Sequence, residues 1–178
     1  MSYVVSITDQ QILTAVRNWL VSAMTGEVVQ GYANRVSTPT GGYVTMSGLL
    51  KTRLGSNEVT FSLPTFPDIV GTEIDTQSYD YHIQLDAYGD DSADWASILN
   101  IAYHSQTAFL FFRSQFPGIA PLYMEEPKLV PVVTGEEQYE LRWTMVIHLQ
   151  FKPSISNAQQ SATNVVAGLK NVEAVYPG

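Results

Sequence analysis

The chain has 178 residues and a mass of 19.7 kDa, the size of one ordinary domain that can bury a sizeable core. It contains no cysteine, so disulfides, thiol catalysis and metal sites built on cysteine are excluded. Only 15% of the residues are charged while 11% are aromatic, which argues against disorder and suggests a surface that partners cover.

The formal net charge of −8 is concentrated in the middle of the sequence. Residues 68–140 hold thirteen acidic residues against two basic ones, and Asp68–Asp94 has eight acids with no lysine or arginine. Such a block repels phosphate, so sequence-specific DNA recognition is disfavoured. An acidic wall would still suit a protein past which DNA must slide without sticking.

Neither a membrane span nor a signal peptide is expected. The N-terminus has no basic segment leading into an apolar run. The charge-free stretch Trp95–Phe112 contains six polar residues, too many for a lipid-facing helix. The sequence therefore predicts a soluble protein that is intracellular when made.

The first predicted element is a helix at about 9–24. Thr8 and Gln11 have the spacing of a capping box, in which each side chain satisfies a free backbone N–H group. Apolar residues then recur every three or four positions, and Gly26 is expected to end the helix.

The segment after this helix is predicted to contain a β-hairpin between two loops. Clusters of glycine, proline, serine and threonine mark the loops, and β-branched or aromatic residues mark the strands. The expected elements are an irregular segment at 27–42, strands at 43–54 and 58–63 joined by a turn at 55–57, and a surface loop at 64–76.

Two later segments give the clearest signal in the sequence. Apolar and polar residues alternate from Tyr79 to Tyr88 and again from Leu141 to Lys152, which predicts antiparallel strands with one packed and one polar face. Between them we expect a long apolar helix at 92–113 and a proline-interrupted edge strand at 120–133.

The C-terminal part differs in composition from the rest. Residues 153–163 are uncharged and rich in serine, alanine, asparagine and glutamine, which predicts a linker, and 164–175 fits a strand or a helix. We therefore expect one α+β domain at 1–152, followed by a C-terminal arm at 153–178. The domain would have a mostly antiparallel, mixed sheet of four to six strands with two main helices packed on it.

The candidate chemistry is sparse. His82, Asp86 and His148 lie on polar strand faces and could gather at one metal or acid–base site, as in a small hydrolase. No HExxH-type spacing supports this, and half-exposed strands carry such residues routinely, so a structural role is favoured. His104, within an apolar helix, is expected to be a packing residue. The sequence thus predicts no catalytic, cofactor or metal site, although a ligand-binding β-domain remains an alternative.

Charged residues suggest contacts rather than catalysis. Asp90, Asp91 and Asp94 lack the ligand pattern of a calcium loop and fit the start of a helix instead. The basic residues Arg35, Lys51 and Arg53 could bind an acidic neighbour, including the acidic block of another copy, or could line a solvated strand face. The end of the long apolar helix is also a candidate interface. The candidate interface residues are Arg35, Lys51, Arg53, Phe112 and Arg113.

The order of elements resembles the neck or tail terminator proteins of long-tailed bacteriophages. The resemblance covers about residues 8–152 and rests on short structural motifs rather than a catalytic signature. These are the N-terminal helix, the loop into Gly42-Tyr43-Val44-Thr45, the strand Gln84-Leu85-Asp86-Ala87-Tyr88-Gly89, the helix start at Asp94-Trp95-Ala96, and the strand opened by Glu140-Leu141-Arg142.

This resemblance implies a structural virion protein without enzymatic activity. It implies a ring, usually hexameric, that caps the finished tail tube and offers a docking surface to the head–tail connector. Partners would be other copies of the chain, the tail tube protein, the sheath protein in a contractile tail, and the connector, with DNA passing through without specific binding. Such a protein resides in the tail or neck of the virion and assembles in the host cytoplasm.

Two expectations accompany this interpretation. Asp86, Asp90, Asp91 and Asp94 are expected to face the channel of the ring, where their charge would discourage DNA adhesion. A head–tail adaptor or stopper, or a minor tail or baseplate protein, is the alternative within the same class.

Overall fold

The computed structural model describes residues 3–31, 39–64, 70–133 and 139–160. Across these ranges the helices are α1 (Asp9–Ala23), α2 (Ser92–Tyr103) and α3 (Gln106–Gln115). The strands in the same ranges are β1 (Glu27–Gln30), β2 (Tyr43–Arg53), β3 (Glu58–Ser62), β4 (Val70–Thr76), β5 (Tyr79–Tyr88), β6 (Ile119–Met124), β7 (Lys128–Leu129), β8 (Val132–Val133), β9 (Tyr139–Glu140), β10 (Arg142–Phe151) and β11 (Ser154–Gln160).

The strands form a main sheet and a smaller one. In the described part of the chain the main sheet has six strands in the order β1-β2-β5-β10-β6, with β7 also paired to β10. Only its β1–β2 pair is parallel. The smaller sheet has the order β11-β4-β3, and β8 pairs with β9 in a short ribbon. The fold is therefore α+β with a mixed, mostly antiparallel sheet, as the sequence predicts.

The centre of the main sheet is the pair β5 and β10. They stay in register over ten residue pairs, from Tyr79 opposite Phe151 to Tyr88 opposite Arg142. Because side chains alternate between faces, one face of this pair is apolar and lies under the helices. The buried residues of that face are Tyr81, Ile83, Leu85, Ala87, Met145, Ile147, Leu149 and Phe151.

Helix α1 begins as its sequence predicts. The Thr8 hydroxyl accepts a hydrogen bond from the Gln11 backbone N–H at 3.3 Å, and the Gln11 side chain accepts one from the Thr8 N–H at 2.8 Å. Ile12, Val16 and Leu20 are completely buried in the core. The cap thus fixes the start of the helix, and its apolar stripe fixes the face that packs.

The single helix predicted at 92–113 is instead two helices. The break lies at His104 and Ser105, where extended backbone at Ser105 lets its hydroxyl accept a hydrogen bond from the Ala108 N–H at 3.3 Å. Ser105 therefore acts as the N-cap of α3. The His104 ring at the corner accepts a hydrogen bond from the Met124 N–H at 3.2 Å through Nε2, which connects this corner to β6.

Three segments predicted to be irregular contain strands. They are β1 within 27–42, β4 within 64–76 and β11 within 153–163, so the linker prediction is wrong for Ser154–Gln160. These strands are short or rich in polar residues, and pairing with distant partners determines them rather than their own alternation. The segment 164–175 lies outside the described residues.

The predicted hairpin at 43–63 is also wrong, although its two strands exist. β2 pairs with β5 in the main sheet, whereas β3 pairs with β4 in the smaller one, so the residues between them cross from one sheet to the other. The proline-interrupted segment at 120–133 is confirmed as an edge, because β6 ends the main sheet.

We call the smaller sheet of β3, β4 and β11 the β arm. Each of its strands is the neighbour in sequence of a central strand: β3 follows β2, β4 precedes β5, and β11 follows β10. Backbone hydrogen bonds continue across the junction, from the Leu54 N–H to the Ser78 carbonyl and from the Gln77 N–H to the Pro153 carbonyl. The β arm is thus an extension of the main sheet.

No helix within the described ranges is long and apolar enough to span a membrane.

Tyr103 fixes the helical layer to the sheet. Its hydroxyl donates a hydrogen bond to the His148 carbonyl at 2.8 Å, and its ring is buried against Trp19 and Phe112. Burial, together with the negative charge of Asp80, raises the pKa of Tyr103 well above its usual value. The phenol therefore stays neutral in the folded protein at pH values where an exposed tyrosine ionises.

We predict that Tyr103→Phe lowers the free energy of unfolding by about 1 kcal/mol at neutral pH, because one buried hydrogen bond is lost. The folded pKa lies above the unfolded value of about 10, so this phenol's contribution is complete below pH 10 and decreases as the pH rises further. The difference between wild type and variant should therefore shrink in alkaline urea titrations. Tyr139→Phe, at an exposed site, should match wild type at both pH values, and a constant difference for Tyr103→Phe would contradict the prediction.

Candidate assembly surface

The β arm exposes an apolar face and a free strand edge. All five residues of β3 are exposed, and Phe61 retains 69% of its accessible surface. Val59, Phe61 and Leu63 alternate with polar residues, which places their side chains on one face. No strand pairs with the outer edge of β3 among the described residues. Exposed apolar residues beside an open edge are typical of a surface that another chain covers.

The β arm is acidic as well as partly apolar, because Glu73 and Asp75 on β4 lie directly opposite Phe61 and Val59 on β3. Its strands carry Glu58, Glu73 and Asp75 and no lysine or arginine. The sequence did not predict this surface, because the turn residues between β2 and β3 indicated a hairpin in which β3 would pair with β2. The alternation of Val59, Phe61 and Leu63 was its visible signal.

A second group of exposed apolar side chains lies on α2 and α3. Ile98, Ile101 and Leu110 are about half or more exposed. A groove of about 310 Å³ beside α2 is lined in part by Ile101, Pro127 and Trp143. The helical layer thus also presents apolar surface, as its composition predicts.

Lys51 is engaged within the chain. Its ammonium group pairs with the Asp9 carboxylate and lies 5.0 Å from the centre of the Tyr81 ring and 5.6 Å from that of Phe151. The ion pair and the aromatic contacts attach the start of α1 to β2. Arg35, the third basic residue predicted at an interface with Lys51 and Arg53, lies outside the described residues.

Arg53 stabilises the junction between the main sheet and the β arm. Its Nε and Nη2 donate to the Gln77 side-chain oxygen at 3.1 and 2.7 Å, and Nη2 also donates to Asn57 at 3.0 Å. The Gln77 amide in turn donates to the carbonyls of Gly55 and Ser78. Gln77 is buried, and the sequence did not single it out. Together with its backbone bond to Pro153, these contacts join the three connections that run between the main sheet and the β arm.

The structure separates the predicted interface residues Phe112 and Arg113. Phe112 has no accessible surface and packs against Trp19 and Tyr103, so its side chain offers nothing to a partner. Arg113 is exposed, with its guanidinium 6.0 Å from the centre of the Phe109 ring. The apolar helix pattern could not distinguish the two because the break at residue 105 changes which face of α3 is buried.

Asp86 differs from the other predicted channel residues. It is only 7% exposed, and its carboxylate accepts hydrogen bonds from the Thr144 hydroxyl at 2.6 Å and the Gln84 amide at 2.7 Å. In the isolated chain it is therefore a hydrogen-bonded residue of the sheet rather than an open surface acid.

Asp90, Asp91 and Asp94 are exposed where β5 leads into α2. Asp91 occupies the N-cap position of α2, but its side chain makes no capping hydrogen bond, and Asp94 lies in the first turn. β5 has ten residues, so these acids lie about 30 Å along the strand from the β arm. These three acids and the β arm thus lie at opposite ends of β5.

His82 and His148 lie next to each other, as the sequence allowed, but the carboxylate that they contact is not the predicted Asp86. His82 and His148 are directly opposite each other on β5 and β10, with ring centres 4.0 Å apart. Both contact Asp80 rather than Asp86, because Asp80 precedes His82 by two residues on the same face. His104 lies elsewhere, at the corner between α2 and α3.

Comparison with known proteins identifies the family. The family model described as "Phage neck terminator protein" matches residues 10–174. The chain belongs to the phage neck terminator family. This membership confirms the resemblance seen in the sequence and places the chain among structural proteins of the phage tail and neck.

One solved structure similar to this neck terminator is the sheath/tube terminator of an extracellular contractile injection system, PVC, in its extended state. The TM-score is 0.50 at 13% sequence identity, and the match covers 96% of the present chain. The chain spans 65% of the length of that terminator. This likeness concerns the fold. No curated protein matches the sequence significantly.

We predict that Phe112→Ala lowers the free energy of unfolding by about 3–5 kcal/mol, because it leaves a cavity beside Trp19 and Tyr103. Arg113→Ala, one residue along the same helix, should change it by no more than about 0.5 kcal/mol. Urea denaturation of both variants measures the difference. Equal stabilities would show that Phe112 is not a core residue.

Proposed function

We propose that this neck terminator protein assembles into a ring, hexameric in the mature particle, that caps the tail tube and joins it to the head–tail connector. The main support for the proposal is that a chain of this family has a β arm with exposed apolar side chains and a strand edge that no described strand pairs with. Its other partners are the tail tube protein and, in a contractile tail, the sheath protein.

The β arm supports ring formation through its physical character. A strand edge with free N–H and C=O groups can accept a further strand, and apolar side chains beside it gain free energy when a neighbour covers them. The arm extends from the central strands through the Arg53–Gln77 junction, so it presents this surface in a defined direction. In our proposal the neighbouring protomer or the tube end covers it.

The acidic end supports the second part of the proposal. Asp90, Asp91 and Asp94 are exposed and remote from the β arm, and each chain carries a net charge of −8. If this end lines the channel of the ring, passing DNA meets like charge and slides without adhering. Asp86 contributes only to the local field, since its carboxylate is buried.

Negative-stain microscopy of the purified chain, alone and with tail tube protein, tests the function. Rings, or caps at the ends of tubes whose growth has stopped, are expected. A chain that remains monomeric with tube protein, or that binds only the connector, would overturn the terminator proposal, and the second result would favour a head–tail adaptor.

For the interface, we predict that Phe61→Glu reduces ring formation by about tenfold or more, because a charge replaces an apolar contact at its centre. Thr60→Glu is the matched control, since it adds the same charge to the opposite face of the same strand. It should assemble like wild type. Mass photometry measures the ring fraction, and equal behaviour of the two variants would remove the apolar face of the β arm from the interface.

For the channel, we predict that the double variant Asp90→Asn, Asp91→Asn raises the affinity of the ring for duplex DNA about threefold or more at low salt. Asp94 is retained because it stabilises the start of α2.

The control double variant Glu58→Gln, Glu126→Gln removes the same charge from exposed positions away from the start of α2 and should have a smaller effect. Fluorescence anisotropy with labelled DNA measures both. An equal increase in DNA affinity for both double variants would show that the effect comes from net charge and not from the position of Asp90 and Asp91.

A further inference from the structure

The polar face of the main sheet brings together three side chains that can ligate a transition metal. Asp80 and His82 lie on β5 and His148 lies opposite on β10. One oxygen of Asp80, Oδ2, is 2.9 Å from His148 Nδ1 and 3.1 Å from His82 Nε2. The three potential ligand atoms all lie within 4.8 Å of one another.

Hydrogen bonding alone leaves this cluster incomplete. Asp80 Oδ1 and His148 Nε2 are buried and have no hydrogen-bond partner among the described residues. If His148 donates to Asp80 through Nδ1, then Nε2 of the neutral ring needs a donor. Glu125 Oε1, the carboxylate oxygen 3.6 Å away, cannot donate when ionised. Buried polar atoms without partners are costly and rare in folded proteins.

A bound metal ion would provide a partner for both atoms. With Nδ1 of His148 on the metal, Nε2 would carry the proton and point toward Glu125 Oε1, 3.6 Å away, so a small approach of that carboxylate would complete the usual arrangement in which a carboxylate orients a ligating histidine. Asp80 Oδ1 then lies beside a cation instead of in an unpaired environment. Ligands about 2.0–2.2 Å from a tetrahedral ion are separated by roughly 3.3–3.6 Å, so the two spacings to Asp80 Oδ2 need to widen by only a few tenths of an ångström, while the two histidine nitrogens must lie at a similar spacing.

We propose that Asp80, His82 and His148 form a zinc-binding site, with Glu125 orienting His148. Two imidazoles and one carboxylate suit Zn²⁺, whereas Mg²⁺ and Ca²⁺ prefer sites made entirely of oxygen ligands. The His82 side chain is 23% exposed while that of His148 is 4% exposed, so the fourth position opens on the side of His82, where water completes the coordination. This site is independent of the terminator function and differs from the absence of a metal that the sequence predicts.

The ion would connect β5 to β10 beside the junction with the β arm. Asp80 is the second residue of β5, and its opposite residue, Gln150, is followed by the last residue of β10. An unfolded chain does not hold these ligands together, so the bound ion stabilises the folded state.

The test uses the full chain, stripped of metal by a chelator and titrated with ZnCl₂ in a calorimeter. One Zn²⁺ per chain is expected, with a higher thermal unfolding temperature, and MgCl₂ should produce neither result. Co²⁺ should show the strong visible absorption of a four-coordinate site with nitrogen ligands. Failure of the wild-type chain to bind stoichiometric Zn²⁺ overturns the proposal.

Variants locate the site. His82→Asn should lose stoichiometric binding, and Glu125→Gln should weaken it by about 10–100-fold. His104→Gln is the matched control, since it removes the histidine outside the cluster, and should bind like wild type. Circular dichroism of the metal-free variants checks their folding. Because the Glu125 side chain is partly exposed, Glu125→Gln should fold normally and still test the site if His82→Asn unfolds. Equal Zn²⁺ affinity in Glu125→Gln and His104→Gln would place the metal elsewhere.

Discussion

The long pairing of β5 with β10 sets the rest of the structure. Ten consecutive residue pairs stay in register, so the core side chains of both strands reach one face, while the polar ones, together with Val146 and Tyr88, reach the other. The apolar face requires a cover, which α1, α2 and α3 provide. The polar face is left to hydrogen bonds among its own residues, and there the histidines meet Asp80. A slip of β10 by one residue would turn Ile147 away from the helices and bury the neighbouring His148 beneath them.

Elements with strong local signals were predictable from the sequence. The capping box at Thr8 and the alternation in β5 and β10 define their elements without help from distant residues. β4 and β11 were not predictable in this way, because their polar residues form strands only beside partners far along the chain. The break at Ser105 was missed for a different reason. Serine caps a helix only when its backbone is extended, and an apolar run does not reveal that.

The contacts of the two strand histidines were also not predictable from local sequence patterns. Alternation places Asp80, His82, Asp86 and His148 on one face, but it does not say which residues of the two strands are opposite each other. Only the register does, and it places His148 opposite His82, with Asp80 two residues away and Asp86 four. The choice of carboxylate was therefore a question of tertiary structure. Likewise, the basic residues near β2 could be recognised as a group, but their partners Asp9 and Gln77 come from other elements.

The separation of the β arm from the acids at the start of α2 has a physical consequence for assembly. A chain with exposed apolar residues on its arm needs repulsion to stay soluble before it meets its partners, and a net charge of −8 supplies it. Glu73 and Asp75 lie directly opposite Phe61 and Val59 on the arm, so a partner that covers this face must also solvate or pair two carboxylates. The acids at the far end of β5 add repulsion without lying in that contact. The Arg53–Gln77 junction then matters as much as the surface itself, because an arm held in one orientation loses less conformational entropy when a neighbour covers it.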